Sequence, residues 1–228
     1  MLPKCTASDA FRQRLSTYLA LPGAESRVAL WDLDESGPQP VDLHGVHMLA
    51  WAAGELFALK PDYVLDIGGD KTFVAILSQY TIIDTVDIRP WPHGLGDRLL
   101  VRAGSILALP SEDESEDCVT CLSVLEHIGL GRYGDPLDPQ GSRKACAELS
   151  RVLAPGGHLL LSVPVSHTSG VAYCAHRIFT REQVLAMLSG FRVASETCLY
   201  PDFGSPERVS TLGEWGYCMW CVHLVKEE

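Results

Sequence analysis

Between residues 63 and 164 short apolar runs alternate with stretches of helical spacing, and this alternation constrains the fold more than any other feature. Tyr63–Ile67 predicts a strand ending in a Gly-Gly turn, and 72–79 predicts a helix. Three more strands are predicted at 82–86, 99–103 and 117–123. Segment 142–153 places Ala145, Leu149, Val152 and Leu153 on one helical stripe, and Pro155-Gly156-Gly157 ends it. A fifth strand is expected at 158–163 and a helix capped by Thr180 at 180–188. Segments 191–199 and 217–225 read as two closing strands with no helix between them, an antiparallel pair at one edge. Upstream, 8–20 and 45–59 read as helices, the first with Ser8 or Asp9 as N-cap and the second stopped by Pro61; 34–40 reads as a loop. The expectation is an α/β fold: a mostly parallel seven-stranded sheet, helices on both faces, an antiparallel C-terminal edge strand and a small N-terminal helical segment. Residues 1–60 are expected to form a cap or lid, and 61–228 the main domain.

Charge narrows the partners. With 18 Lys and Arg against 29 Asp and Glu the formal net charge is −11, which argues against a nucleic-acid groove and against docking on anionic lipid. A small or neutral partner fits better. No stretch approaches the roughly 20 apolar residues of a membrane span, and the early residues turn polar too soon for a secretory signal. The chain is therefore read as cytoplasmic, with reduced cysteines. Two Cys pairs, 118/121 and 218/221, have the spacing of zinc ligands. Both lie in strand-like runs, where residues three apart point to opposite faces, so they read as core residues.

Ligands of parallel α/β sheets bind at the carboxyl ends of the strands, so the residues there carry the functional information. The first strand ends Asp66-Ile67-Gly68-Gly69, where glycine permits a tight turn and close approach of a ligand. The second ends in Asp87, and 87 − 66 places it 21 residues beyond Asp66, near the spacing at which a carboxylate holds a ribose diol. A plain tight turn and a strand-end cap explain each feature singly; together they favour nucleoside binding.

The run from Gly104 to Pro164 resembles the class I S-adenosylmethionine (SAM)-dependent methyltransferases. The resemblance is carried by Gly104–Pro110, the Asp-led strand 117–123, Val124-Leu125-Glu126-His127, and Arg151-Val152-Leu153 with Pro155-Gly156-Gly157, in that order. The run Leu125–Pro136, LEHIGLGRYGDP, with Asp42-Leu43-His44 upstream and Ala175-His176-Arg177 downstream, is similar to a little-characterised methyltransferase-like subgroup. The resemblance implies a Rossmann-like domain with SAM as cofactor. Asp66, Gly68 and Gly69 would lie under the methionine part, Asp87 would hold the ribose, Ser105 and Ile106 would flank the adenine, and Leu122 and Ser123 would offer backbone groups near the sulfonium. Asp70 stands where a third glycine is usual, and Ser105 where aspartate is usual.

Methyl transfer from a sulfonium is an in-line displacement that needs an aligned acceptor and, for a hydroxyl, a base. His127 and His176 are the candidate bases; His44, Tyr133, Asp135 and Arg177 are candidates for the acceptor site. Asp135 and Asp138 with Glu126 or His127 could take Mg²⁺, but acidic loops without metal are commoner, so no metal is expected. The expected function is methylation of a small molecule or sugar, at a hydroxyl oxygen. The alternatives are a binding or scaffold protein that keeps the fold without catalysis, and, last, a nicotinamide oxidoreductase, for which Gly-x-Gly-x-x-Gly is absent after Asp66. Oligomeric state is not legible.

Overall fold

A computed structural model describes residues 9–24, 28–30, 43–173, 175–199, 208–209 and 217–228. Its elements are α1 (Asp9–Leu19), β1 (Val28–Leu30), α2 (Leu43–Leu59), β2 (Tyr63–Ile67), α3 (Lys71–Leu77), β3 (Ile82–Asp87), β4 (Leu99–Ala103), β5 (Glu116–Leu122), α4 (Gly141–Val152), β6 (Leu153–Ser166), β7 (Gly170–Tyr173), β8 (His176–Ile178), α5 (Arg181–Met187), β9 (Phe191–Leu199), β10 (Arg208–Val209) and β11 (Tyr217–Lys226), with a 3₁₀ turn at Leu125–His127.

The main sheet runs β10-β9-β11-β6-β5-β2-β3-β4. Strands β4, β3, β2, β5 and β6 are parallel neighbours, and β11 runs antiparallel between β6 and β9. The expected seven strands are all present, and β10 adds two residues beyond β9. The C-terminal strand therefore sits inside the antiparallel end, with β9 outside it.

Both faces are covered. On one, α4 and α5 bury Ala145, Leu149, Val152, Val184 and Leu188 against Leu65, Cys121, Leu161 and Trp220. On the other, α2 and α3 bury Met48, Trp51, Leu56, Phe73 and Val74 against Val64, Cys118, Leu160 and Cys221. The alternation of side chains along a strand thus splits each Cys-x-x-Cys pair: Cys121 and Cys218 face one core, Cys118 and Cys221 the other. Thr180 caps α5 with a reciprocal capping box to Gln183, as its position predicts.

Two features depart from the sequence expectation. Pro155-Gly156-Gly157 lies within a strand and does not separate helix from strand. Helix α4 ends at Val152, β6 starts at Leu153, and pairing jumps from Glu116↔Leu153 to Cys118↔His158, so residues 154–157 bulge out with Gly156 at φ +77°. The second is a small sheet, β1-β7-β8, built from strands of three or four residues, too short to show a period. It shares a minor core of Tyr18, Leu130, Val171 and Tyr173 with α1 and the loop after β5. The 34–40 loop and the Ser8 cap lie outside the described residues. Among the described residues no helix is long and apolar enough to cross a membrane.

Candidate functional site

The carboxyl ends of β2, β3, β4 and β5 open onto a cleft of about 140 Å³ lined by Gly68, Asp87, Arg89, Ser105, Ser123 and His127, among others. The turn after β2 passes through Gly68 at φ +58°, a conformation that glycine adopts without strain. A Cβ there would lie 3.3 Å from Val124 Cγ2, and one at Gly104, across the cleft, 2.6 Å from Val86 Cγ1. Both glycines thus pack closely on valines that line the same cleft.

The two strand-end aspartates have different jobs. Asp66 is 1% exposed and does not line the cleft. Its carboxylate accepts from Thr85 Oγ1 and Thr120 Oγ1 at 2.7 Å each and from the Gly69 amide at 3.1 Å. Gly69 must be glycine because a Cβ would fall 2.3 Å from Asp66 Oδ2. Asp66 and Gly69 therefore shape the turn from behind. Asp87, the last residue of β3, lines the cleft; its Oδ1 accepts from the Arg89 amide at 2.7 Å, and Oδ2 has no partner among the described residues. Ser105 and Ile106 line the wall beside it, and Ser105 Oγ accepts from the Leu107 amide at 3.2 Å. Leu122 packs into the α2 core, while Ser123 lines the cleft. Asp70 does not line it: its side chain caps α3 by accepting from the Phe73 amide at 2.9 Å.

Ser123 holds φ +55°, a left-handed backbone unusual outside glycine, fixed by its amide donating to Ser162 Oγ at 2.9 Å. Its hydroxyl donates to Glu126 Oε1 at 2.6 Å. Glu126 is 1% exposed, its Oε2 has no partner among the described residues, and burial pushes its pKa up to about 7.

His127 Nδ1 lies 2.7 Å from the Ala175 carbonyl. A carbonyl only accepts, so Nδ1 carries the proton and Nε2 presents its lone pair. Burial, and then the Arg132 guanidinium, push the pKa of His127 down to about 4. Its imidazole is neutral at pH 7, so the 3.8 Å approach of Nε2 to Glu126 is not an ion pair. Proton affinity is thereby inverted: on this wall the carboxyl holds a proton more tightly than the imidazole. His176, with ring centroid 6.3 Å from that of His127, is pushed to about 4 by the same causes and does not line the cleft.

Tyr133 and Asp135 line the cleft. Asp135 accepts from the Gly129 amide at 2.6 Å and the Tyr133 amide at 3.4 Å, which ties the Gly-rich loop. Arg177 is 3% exposed and lies away from the cleft. It donates to the Ile128 carbonyl, to Asp138 O at 3.2 Å and to Tyr18 Oη and Ser142 Oγ at 3.3 Å each, pinning this loop to α1 and α4. His44, at the start of α2, is also outside the cleft wall, and its buried Nε2 has no partner among the described residues. Asp138 pairs with Lys144 at 2.6 Å, and among the described residues no three His, Cys, Asp or Glu converge as a metal site. Gly104 and Arg89 line the cleft beyond the residues expected, and Glu126, named above only as a possible metal ligand, lies buried behind Ser123. Arg89 follows Asp87 by two positions, and Glu126 precedes His127, but neither spacing tells which way a side chain points.

A family model described as "Caenorhabditis protein of unknown function, DUF268" matches residues 111–198, under half of the chain. No curated protein matches by sequence. Among solved structures, the chain is similar to Burkholderia thailandensis 1,6-didemethyltoxoflavin-N1-methyltransferase, with bound 1,6-didemethyltoxoflavin and S-adenosylhomocysteine (SAH), at 18% identity and TM-score 0.60 over 82% of this chain and 80% of that one. It is similar to the N-methyltransferase NodS of Bradyrhizobium japonicum WM9, in complex with SAH, at 19% identity and TM-score 0.56 over 96% and 100%. The [4+2]-cyclase SpnF also matches, at 15% identity and TM-score 0.58 over 95% and 92%. The strand order, the antiparallel β11 and these neighbours together show that the chain has the Rossmann-like fold of the class I SAM-dependent methyltransferases.

Proposed function

We propose that the chain is a SAM-dependent methyltransferase that methylates a small molecule or sugar at a hydroxyl oxygen. One observation carries this reading. The glycine turn at Gly68 and Asp87, whose Oδ2 has no partner among the described residues, line one cleft, the pairing that receives a ribose diol at a strand end. The residues present suit the cofactor: Gly68 and Gly104 line the cleft without side chains of their own, Ser105 and Ile106 can flank an adenine, and Ser123 stands at the β5 end. When bound, SAM supplies a methyl group on a cationic sulfur, already a strong electrophile.

The chain's own residues then have three tasks. Asp87 orients the nucleoside. Tyr133 and the loop tied by Asp135 cover the acceptor side and exclude water. His127, which lines the cleft with the lone pair on Nε2, is the group able to take a hydroxyl proton. Within residues 1–60, α1 serves as a cap: Tyr18 packs on Tyr173 with centroids 5.4 Å apart and meets Arg177. The protein acts in the cytoplasm. The Asp70 carboxylate caps α3 and does not line the cleft, which suits this reading.

Calorimetric titration with SAM and SAH, with NADH as control, tests the reading. Micromolar binding of an adenosyl ligand, abolished in Asp87→Ala, is expected. Absence of binding at millimolar ligand by the folded protein would leave the scaffold alternative.

A further inference from the structure

One end of the cleft carries Arg89 and Tyr133 on its wall, with Arg132 beside them. Tyr133 lines the cleft, and its ring is bracketed by two guanidiniums, Arg89 with Cζ 4.2 Å from the ring centroid and Arg132 with Cζ at 5.1 Å. They come from the segments after β3 and β5 and meet on one aromatic ring. Arg132 is further fixed by donating to Ala175 O at 2.7 Å, the carbonyl that also holds His127 Nδ1. Arg132 thus stands beside the candidate base, close enough to depress the proton affinity of both His127 and His176.

Neither guanidinium has a carboxylate at ion-pair distance among the described residues, whereas Arg102, Arg151, Arg181, Lys144 and Lys226 all do. The nearby Asp135 is engaged by loop amides. In a chain of formal net charge −11, carboxylates are in excess, yet these two cations beside the cleft are held by a ring and a carbonyl instead. Both guanidiniums thus keep N–H donors uncommitted to any carboxylate beside the cleft, although Asp87 and Asp135 also line it. A guanidinium is charged at every accessible pH, and its planar fork matches the oxygens of a carboxylate or phosphate.

We infer that the acceptor is an anionic small molecule, whose carboxylate or phosphate is held by Arg132 and Arg89 against Tyr133, beside His127. This rests on the methyltransferase reading and names its substrate class.

The test uses the full chain saturated with SAH, titrated with benzoate, phenyl phosphate and neutral benzamide by ligand-observed NMR. Either acid should bind at least about tenfold more tightly than the amide, and Arg132→Gln and Arg89→Gln should each remove most of that preference. Benzoate binding alone assigns a carboxylate, and phenyl phosphate binding alone a phosphate. Both side chains are exposed, so the variants should fold. Equal affinity for acid and amide, an unchanged preference in both variants, or no binding of any probe overturns the inference. Failure of SAH to bind brings down the methyltransferase reading and this inference with it; SAH binding without acid preference brings down the inference alone.

Discussion

The Ser123 hydroxyl donates to Glu126 Oε1 at 2.6 Å, and so a residue on the cleft wall is joined to a carboxyl buried behind it. Burial raises the folded pKa of Glu126 from 4.5 to about 7. Between those values the folded state holds a proton that the unfolded state has lost, so stability falls as pH rises through this window and stays lower above it. Glu126→Gln keeps an acceptor for Ser123 without the charge. It should stabilise the protein by up to about 3 kcal/mol at pH 8 and by little at pH 4.5, as read by urea denaturation at both pH values.

The two histidines act in the opposite sense. Their folded pKa values lie near 4, below the 6.5 of the unfolded chain. Protons bind the unfolded state first, so stability is full above pH 6.5 and is lost as pH falls from there towards 4. Replacing His176 by Asn should flatten this acid limb in a denaturation series from pH 4 to 7. An unchanged slope would show that neither burial nor Arg132 suppresses its protonation.

Asp66 accepts three hydrogen bonds in the core beneath the turn. Asp66→Asn would replace one carboxylate oxygen with N–H, set either against the Thr120 hydroxyl or against the Thr85 hydroxyl and the Gly69 amide. A cost of about 2–3 kcal/mol is expected, with a weaker SAH affinity because the Gly68 turn loses its support. Chemical denaturation and calorimetry on one preparation measure both.

Arg177 was expected to touch substrate, yet it binds the Ile128 and Asp138 carbonyls at both ends of the loop carrying Tyr133 and Asp135. Arg177→Met leaves those carbonyls without this donor. It should cost about 2–4 kcal/mol and make the loop a site of limited proteolysis, with protection by SAH reduced.

The sheet was legible because its strands are bounded by turn residues. The ranges 63–67, 99–103 and 191–199 match β2, β4 and β9. The β6 bulge was not, since Pro-Gly-Gly reads as a stop wherever the neighbouring strand does not hold the chain extended on both sides of it. Local pattern likewise placed Asp66 and Asp87 at strand ends 21 residues apart, along with the glycines and the Glu126-His127 pair, because turn geometry and spacing depend on near neighbours.

Direction and proton affinity were decided only by tertiary structure. Asp66 turns inward because Thr85 and Thr120 arrive on the flanking strands, while Asp87 at the strand tip meets the cleft. Glu126 and His127 exchange their usual order of basicity because both are buried: losing water penalises whichever form is charged, raising the carboxyl and lowering the imidazole. The guanidiniums that bracket Tyr133 come from positions 89 and 132, which no local spacing brings together. Sequence determines which groups end each strand; the packing of distant strands and loops determines which of them face the ligand and in which protonation state.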